Sequence, residues 1–415
     1  MAEMKDSGTT WLGKIPKAWE LSKISSIYEL RTQKVSDRDY PPLSVTMNGV
    51  VPQLDSAAKT NAHDDRKLVR KGDFAINSRS DRRGSCGVSE YDGSVSLINT
   101  VMKPRDEMNP DYYNWLFHTI QFADEFYKWG HGIVDDLWTT NWQDMKHIDI
   151  PVPSLPEQKK IADYLNKIVP EIDSLHTDIE KQIETLEEYK KSVITEAVTK
   201  GLNPDVEMKD SGIEWMGMVP STWESNKVLN CIDFIGGSQP PLSYFEGEEK
   251  EGYVRLIQNR DYKTDDYMTF VPKRMVTKFC EVDDVMIGRY GPPLFVLHRG
   301  LKGAYNVAIM KAVPKLLDRE FMAFYLQNYT LLQYIESFSK RTAGQAGVNT
   351  DILKKYSIYV PPMEEQKEIA IYLEKKCIEI DNVIGKKKEQ LETLDQYNKS
   401  LVYEYVTGKK EVPDA

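Results

Sequence analysis

Apolar residues recur between positions 161 and 193 in alternating steps of four and three: Ile161, Leu165, Ile168, Ile172, Leu175, Ile179, Gln182, Leu186, Tyr189 and Val193, with Gln182 alone polar. Such spacing is the seam of a long helix that packs against another helix. Shifted by 208 residues the seam returns as Ile369, Leu373, Lys376, Ile380, Val383, Lys387, Gln390, Leu394, Tyr397 and Leu401. A helix of about 40 residues is ~60 Å long and cannot bury so narrow a stripe within one small module. The pattern therefore predicts two helices paired antiparallel with a module at each end, and Gln182 facing Gln390 to fix their register. Pro170 predicts a kink or a restart in the first helix.

Outside these helices the apolar positions come in short β-prone runs. Leu43–Thr46 and Val50-Val51 flank Asn48-Gly49, and Val88–Tyr91 and Val95–Val101 flank Asp92-Gly93, both hairpin dipeptides. Tyr253–Gln258, Val285–Ile287 and Ala308–Val313 read as strands of a second set. Asn109-Pro110 opens a helix running to about Trp129, with Gly130 as its stop, and Asp318 opens a counterpart to about Phe338. Strands with one or two helices make each module α+β.

The chain repeats itself around these modules. Met4-Lys5-Asp6-Ser7-Gly8, Trp11, Gly13, Pro16 and Trp19-Glu20 return as Met208-Lys209-Asp210-Ser211-Gly212, Trp215, Gly217, Pro220 and Trp223-Glu224. Glu157-Gln158-Lys159 with Ile161-Ala162 returns as Glu365-Gln366-Lys367 with Ile369-Ala370. Between the echoes almost every residue differs. This divides the chain into a first module (1–152), a helical spacer (153–207), a second module (208–360) and a second spacer (361–415), as a tandem duplication of a whole unit. The four tryptophans belong to the repeated frame and are expected to be core anchors.

Composition narrows the class. With 40% hydrophobic and 28% charged residues the 415-residue chain reads as globular. No apolar run approaches the ~18 residues of a spanning helix and the start is polar, so a cytoplasmic protein with no membrane partner is expected. A net charge of −10 argues against indiscriminate nucleic-acid binding, though not against a local basic face. Many of the acids fall in the spacers. Four scattered cysteines and six histidines show no ligand spacing, so no metal site is expected.

Catalytic motifs are missing. There is no phosphate-binding G-x-x-x-x-G-K-[ST] loop, and Gly130-His131-Gly132 follows a predicted helix rather than a strand. Tyr40-Pro41-Pro42 has no Asn or Asp directly before its prolines, as an amino-methyltransferase motif would. Asp205, Glu207 and Lys209 superficially resemble a nuclease metal site but are adjacent in a connector. No residue is assigned a catalytic role, and the chain is expected not to be an enzyme by itself.

The Trp-x-Gly-x-Ile/Val-Pro-x-x-Trp opening, the Pro153–Leu165 segment entering a long helix, and the helix end Glu196–Gly201 echoed by Glu404–Lys409 resemble specificity (S) subunits of type I restriction-modification systems. The resemblance covers essentially the whole chain, twice. It implies two target-recognition domains separated by two antiparallel coiled-coil helices, each domain reading one half of a split target in double-stranded DNA. It also implies that the helix pair acts as a ruler and as a seat for two methyltransferase (M) subunits. Restriction (R) subunits would complete the complex, and S-adenosylmethionine, ATP and Mg would reside in the partners, with no cofactor here. A methylation-only system, or a coiled-coil adaptor that never binds DNA, would share many of these features.

Arginine reads guanine and asparagine reads adenine, and either can hold phosphate. On that basis the candidates in the first module are Asn77, Arg79, Arg82 and Arg83 in a loop ending at Gly84, with His131. In the second they are Arg289 and Tyr290 after the 285–287 strand, Lys340, Arg341 and Gln345 after the helix, and Asn259 with Arg260.

Overall fold

The computed structural model of the chain describes residues 3–53, 63–105, 108–133, 138–213, 216–291, 293–338, 340–342 and 345–413. Two compact units form, one of Met1–Glu180 with Glu389–Ala415, the other of Lys181–Lys388. Six helices matter below: α1 (Pro110–Phe117), α2 (Ile120–Lys128), the long α3 (Leu155–Lys200), α4 (Arg319–Tyr325), α5 (Tyr329–Ser337) and the long α6 (Met363–Val406).

In the first unit, Met4–Asp6 pairs with Lys14–Pro16, and Lys5 Nζ donates to the Trp19 carbonyl at 2.6 Å. Glu20–Lys23 pairs antiparallel with Asp149–Val152, which brings the two ends of the module together. Between them lies an antiparallel sheet in the order Cys86–Val88, Phe74–Asn77, Asn99–Pro104, Tyr28–Leu30. Tyr28, Phe74, Tyr113, Phe117 and Phe122 pack edge-on or tilted beneath it, fully buried or nearly so.

The second unit repeats this frame. Met208–Asp210 pairs with Met218–Pro220, Lys209 Nζ reaches the Trp223 carbonyl at 2.7 Å, and Glu224–Lys227 pairs with Ser357–Val360. Its antiparallel sheet runs Ile232–Gly236, Ile309–Pro314, Val285–Gly288, Leu297–His298. A further sheet joins Tyr253–Ile257 to Gly303–Tyr305 in parallel. Trp11, Trp19 and Trp223 are buried, while Trp215 lies outside the described residues.

The repeated glutamines explain the entry to each long helix. Gln158 is 1% exposed; its Oε1 accepts from the Asn109 amide at 2.9 Å and its Nε2 donates to the Pro153 carbonyl at 2.9 Å. Gln366, also 1% exposed, accepts from the Asp318 amide at 2.7 Å and donates to the Pro361 carbonyl at 2.9 Å. Each thus ties the start of a long helix to the N-cap of α1 or of α4, satisfying backbone groups that burial would otherwise orphan.

Several local expectations are met and others corrected. Asn48-Gly49 does turn a hairpin, Leu43–Thr46 against Gly49–Pro52, with Gly49 at φ +99°. Asp92-Gly93 does not, since Gly93–Val95 pairs with Arg66–Val69 in a different sheet from Cys86–Val88. The cause is the Asp92 carboxylate, which takes the Lys71 amide and the Arg70 guanidinium instead of its own turn. Each helix predicted as continuous is two. Thr119 stops α1 and caps α2 by accepting from the Phe122 amide, and Asn328 does the same between α4 and α5 through the Leu331 amide. Pro170 does not restart α3, which is unbroken from Leu155 to Lys200.

Within each unit the long helices run antiparallel. In the first, the Tyr164 and Tyr405 rings lie 4.7 Å apart and His176 Nε2 is 3.5 Å from Asp395. In the second, Lys190 Nζ binds the Asp381 carboxylate at 2.6 Å, and Gln182 accepts from Lys387 rather than from a glutamine. The buried seam also differs from expectation at alternate positions. Ile161, Leu165, Ile172, Ile179, Ile369, Leu373, Ile380 and Leu401 are buried, and Leu186, Val193 and Leu394 are half-buried. Leu175 is 50% exposed, Tyr189 48%, Val383 43% and Tyr397 50%, and Gln182 and Gln390 are exposed. Their places are taken one residue on, by His176, Ile183, Lys190, Ile384, Leu391 and Asn398. The reason is a double step of four at each helix start, through Ile161, Leu165 and Val169 and through Ile369, Leu373 and Cys377, which turns the stripe onto the module and advances its phase.

Ile172→Ala is expected to lower stability by about 2–5 kcal/mol and Leu175→Ala by less than about 1 kcal/mol, measured by urea unfolding. The expected seam would give the two a similar cost. Gln366→Ala is expected to cost about 1–3 kcal/mol, because it leaves the Asp318 amide and Pro361 carbonyl unpaired; the same unfolding measurement checks it.

Candidate nucleic-acid interface

At one end of the first unit's sheet the chain leaves Phe74–Asn77, makes a tight turn over Ser80–Arg82 and returns into Cys86–Val88. Asn77 Oδ1 accepts from the Arg79 amide at 3.0 Å, so Asn77 shapes the turn itself. Arg79 forms a β-bridge with Thr139, and His131 bridges the same residue. The loop around 79 and the segment around 131 are thereby one surface. Gly130 is required there, since a Cβ would lie 2.4 Å from Trp138 Nε1.

The arginines of this loop divide by role. Arg83 lies 4.8 Å over the Tyr127 ring and pairs with Asp124, both on α2, so it anchors the loop. Arg82 is exposed, with Asp81 at 3.7 Å. Arg79 is exposed, and among the described residues no acceptor holds its guanidinium. His131 is exposed, 3.5 Å from Asp144.

The equivalent end of the second unit's sheet is built alike. Tyr290 bridges Gly347, and the Arg289 carbonyl accepts from the Val348 amide at 2.9 Å. Lys340–Thr342 and Gln345–Gly347 form the hairpin that carries Lys340, Arg341 and Gln345. Ser339, Ala343 and Gly344 of that expected loop lie outside the described residues. Arg289 sits 5.6 Å over the Tyr290 ring and donates from Nη1 to the Val307 carbonyl at 3.3 Å. The Asn259 carboxamide lies against Gly288, where a Cβ would approach it to 3.0 Å. Arg260 points the other way, to the Tyr267 carbonyl and ring and to Thr269.

Sequence reasoning missed the supports of this surface. Tyr127 and Tyr267 carry arginines, and Gly237 touches Asn306, whose carbonyl oxygen would lie 2.1 Å from a Cβ there. The Gly236-Gly237 pair signals such a close approach of two backbones. The basic turn Lys273-Arg274, with Lys278, is exposed. Electrostatics here are local. Burial raises the Asp261 carboxyl against the opposing pull of the Gln258 amide, Arg255 and Arg260, and burial with the nearby Lys263 lowers His298. The four cysteines are free and buried. Among the described residues no group of three acidic, histidine or cysteine side chains could hold a metal, and no helix is long and apolar enough to cross a membrane.

The type I restriction modification DNA specificity domain matches residues 16–185 and 283–393, more than half of the chain and once in each half. The chain belongs to that family. A putative type I restriction enzyme specificity subunit (MjaX) of Methanocaldococcus jannaschii is 25% identical over 96% of this chain and 95% of its own length. A second specificity subunit of that organism (MjaVIII) is 26% identical over 76% of this chain and 74% of its own. Among solved structures, a chain from work on complex assembly and conformational transition of the type I R-M system superposes with a TM-score of 0.73 at 15% identity, covering 95% of this chain and 99% of that one. The HsdS subunit of Thermoanaerobacter tengcongensis gives 0.54 at 16% identity, covering 95% and 98%. At those identities the structural likeness speaks for the fold, two domains joined through long helices.

For this type I specificity chain the two loop arginines separate by measurement. Arg83→Ala is expected to lower stability by about 1 kcal/mol through loss of the Tyr127 stack, while Arg79→Ala stays within about 0.5 kcal/mol of wild type in urea unfolding.

Proposed function

We propose that this specificity subunit selects DNA for a type I restriction-modification complex, each module reading one half of a split target. The long helices set the spacing between the halves and seat two methyltransferase subunits; restriction subunits join the same complex. S-adenosylmethionine, ATP and Mg belong to those partners, and the part of this chain in catalysis is to choose the site.

The observation that carries this reading is one frame holding two different faces. Lys5 and Lys209, Gln158 and Gln366, and the strand pairs beside them repeat almost bond for bond. At the same sheet end, however, one module presents Asn77, Arg79, Arg82 and His131, and the other presents Arg289 and Tyr290 beside the 340–347 hairpin. A frame that keeps its geometry while its loops differ suits two unlike half-sites. Charge agrees: residues 208–360 hold 19 Lys and Arg against 18 Asp and Glu, although the whole chain is at −10.

The deciding experiment is co-expression with the methyltransferase partner and single-molecule sequencing of host DNA. The expected result is a split adenine-methylated motif that disappears when this gene is deleted. Exchange of residues 208–360 for those of another member should change one half of the motif and leave the other half and the spacing intact. Arg79→Ala should weaken DNA binding and reduce its log–log salt slope by about 1 for a lost phosphate contact. An assembled, active complex without sequence preference would favour the adaptor instead. A motif in a host with no restriction activity would mark a methylation-only system.

A further inference from the structure

Among the described residues twelve buried side-chain polar atoms lack a hydrogen-bond partner; Trp11, Trp19, Tyr28 and Tyr113 contribute four in the aromatic core of the first unit, and five, Arg255 Nε, Asn259 Oδ1, Asp261 Oδ1, Tyr262 OH and Arg289 Nε, share a neighbourhood of the second. Folded chains leave few such atoms, and each asks for an explanation. Arg255 and Asp261 have a local account: Arg255 Nε lies 3.8 Å from Asp261 Oδ2 and Arg260 Nε 3.8 Å from Asp261 Oδ1, while Arg255 Nη2 binds Asp265 at 2.7 Å. Tyr262, stacked ring to ring on His298 at 4.3 Å, keeps an unpaired hydroxyl. Asn259 and Arg289 are the other two.

These two come from different strand ends and meet on one rim. Asn259 begins the turn after Tyr253–Ile257, and Arg289 directly follows Val285–Gly288. The rim is floored by glycine: Gly288 lies beneath the Asn259 carboxamide, and Gly236 has Arg289 Nη1 3.9 Å from its Cβ direction. A Cβ at Gly288 would crowd the Asn259 carboxamide, whereas one at Gly236 would only touch Arg289. Among the described residues no acidic partner holds Arg289, whose bond to the Val307 carbonyl is long at 3.3 Å. The Asn259 oxygen faces inward, and a half-turn about its Cβ–Cγ bond exchanges it with the amide nitrogen without changing the shape of the group.

We infer that Asn259 and Arg289 are the base-reading pair of the second module, Asn259 for an adenine and Arg289 for a guanine. The inference rests on the DNA-specificity reading above. A carboxamide offers a donor and an acceptor to adenine N7 and N6, and a guanidinium fork offers two donors to guanine O6 and N7. Both groups have unspent hydrogen-bonding capacity. Arg260, by contrast, is occupied by Tyr267 and Thr269, with Asp261 at 3.8 Å.

The test uses the full chain co-expressed with its methyltransferase partner, as wild type, Asn259→Ala and Arg289→Lys, read by sequencing of host-DNA methylation. A wild-type complex that is active but yields no split motif removes the underlying reading, and this inference with it. Given a wild-type motif, each variant should relax at one position of the half-site that the 208–360 exchange alters. Preference for adenine (Asn259→Ala) or guanine (Arg289→Lys) should fall ~10- to 100-fold. The other half-site and the spacing should stay fixed. Arg289→Lys retains the charge and loses the fork, so a phosphate-binding or packing role leaves the motif sharp. A sharp motif from assembled Arg289→Lys overturns the inference whether or not Asn259→Ala assembles.

Discussion

The structure depends on the long apolar seams finding antiparallel partners. A helix as long as α3 or α6 cannot shelter its stripe within one module, so each gives its first turns to one core and its last turns to another. In the first unit Ile161, Leu165, Val169 and Ile172 of α3 lie in the same cluster as Leu401, Tyr405 and Val406 of α6. In the second, Ile369, Leu373 and Cys377 of α6 share a cluster with Ile194, Ala197 and Val198 of α3. Neither core is complete without the far end of the other helix. The bond from Tyr112 Oη to the Val406 carbonyl, 2.7 Å long and fully buried, shows how closely that end is built in. Tyr403 does the same on the exterior side, donating to the Trp11 carbonyl at 2.6 Å.

This arrangement frees the loops. Lys5, Lys209, Gln158 and Gln366 bind main-chain atoms at the base of each module, so module geometry is set by groups that take no part in the loops at the sheet end. Backbone contacts are indifferent to the side chains above them. A module can therefore change what it presents at residues 77–83 or 289–290 without changing how it sits on its helices. Loops carried on a rigid scaffold are the usual place for recognition for the same reason.

Element type was legible in the sequence wherever one constraint acted alone. The heptad spacing foretold two long helices, and the repeated Trp and Gln positions foretold a duplicated frame. What was not legible arose where two constraints met. At 175 and 176, or 189 and 190, adjacent positions both fit a seven-residue repeat, and only packing of the first turns onto the module decides which faces inward. The α1–α2 break depends on Thr119 turning its hydroxyl to the Phe122 amide, one of many threonines that could have done so. Asp92 looked like a hairpin residue because its long-range partners, Arg70 and Lys71, are not evident from the local sequence. In the candidate surface, a run of arginines was visible, but the division between Arg83 as anchor and Arg79, which no acceptor holds among the described residues, required the position of Tyr127.

Charge follows the same division of labour. An acidic chain meets a polyanion unfavourably as a whole, and the acids here are concentrated in the spacers and paired surface positions. The long-range field falls off within roughly 10 Å at 0.1 M salt, so a loop such as 77–83 responds to its own arginines more than to the distant spacers. Non-specific attraction rises with every uncompensated cation, whereas the preference for one base over another comes from directed bonds whose number does not depend on net charge. The reading proposed for Asn259 and Arg289, two groups with incompletely satisfied donors and acceptors, relies on directed bonds of that kind. The free chain leaves those groups unpaired, and on that proposal a base with the matching edge offsets the cost.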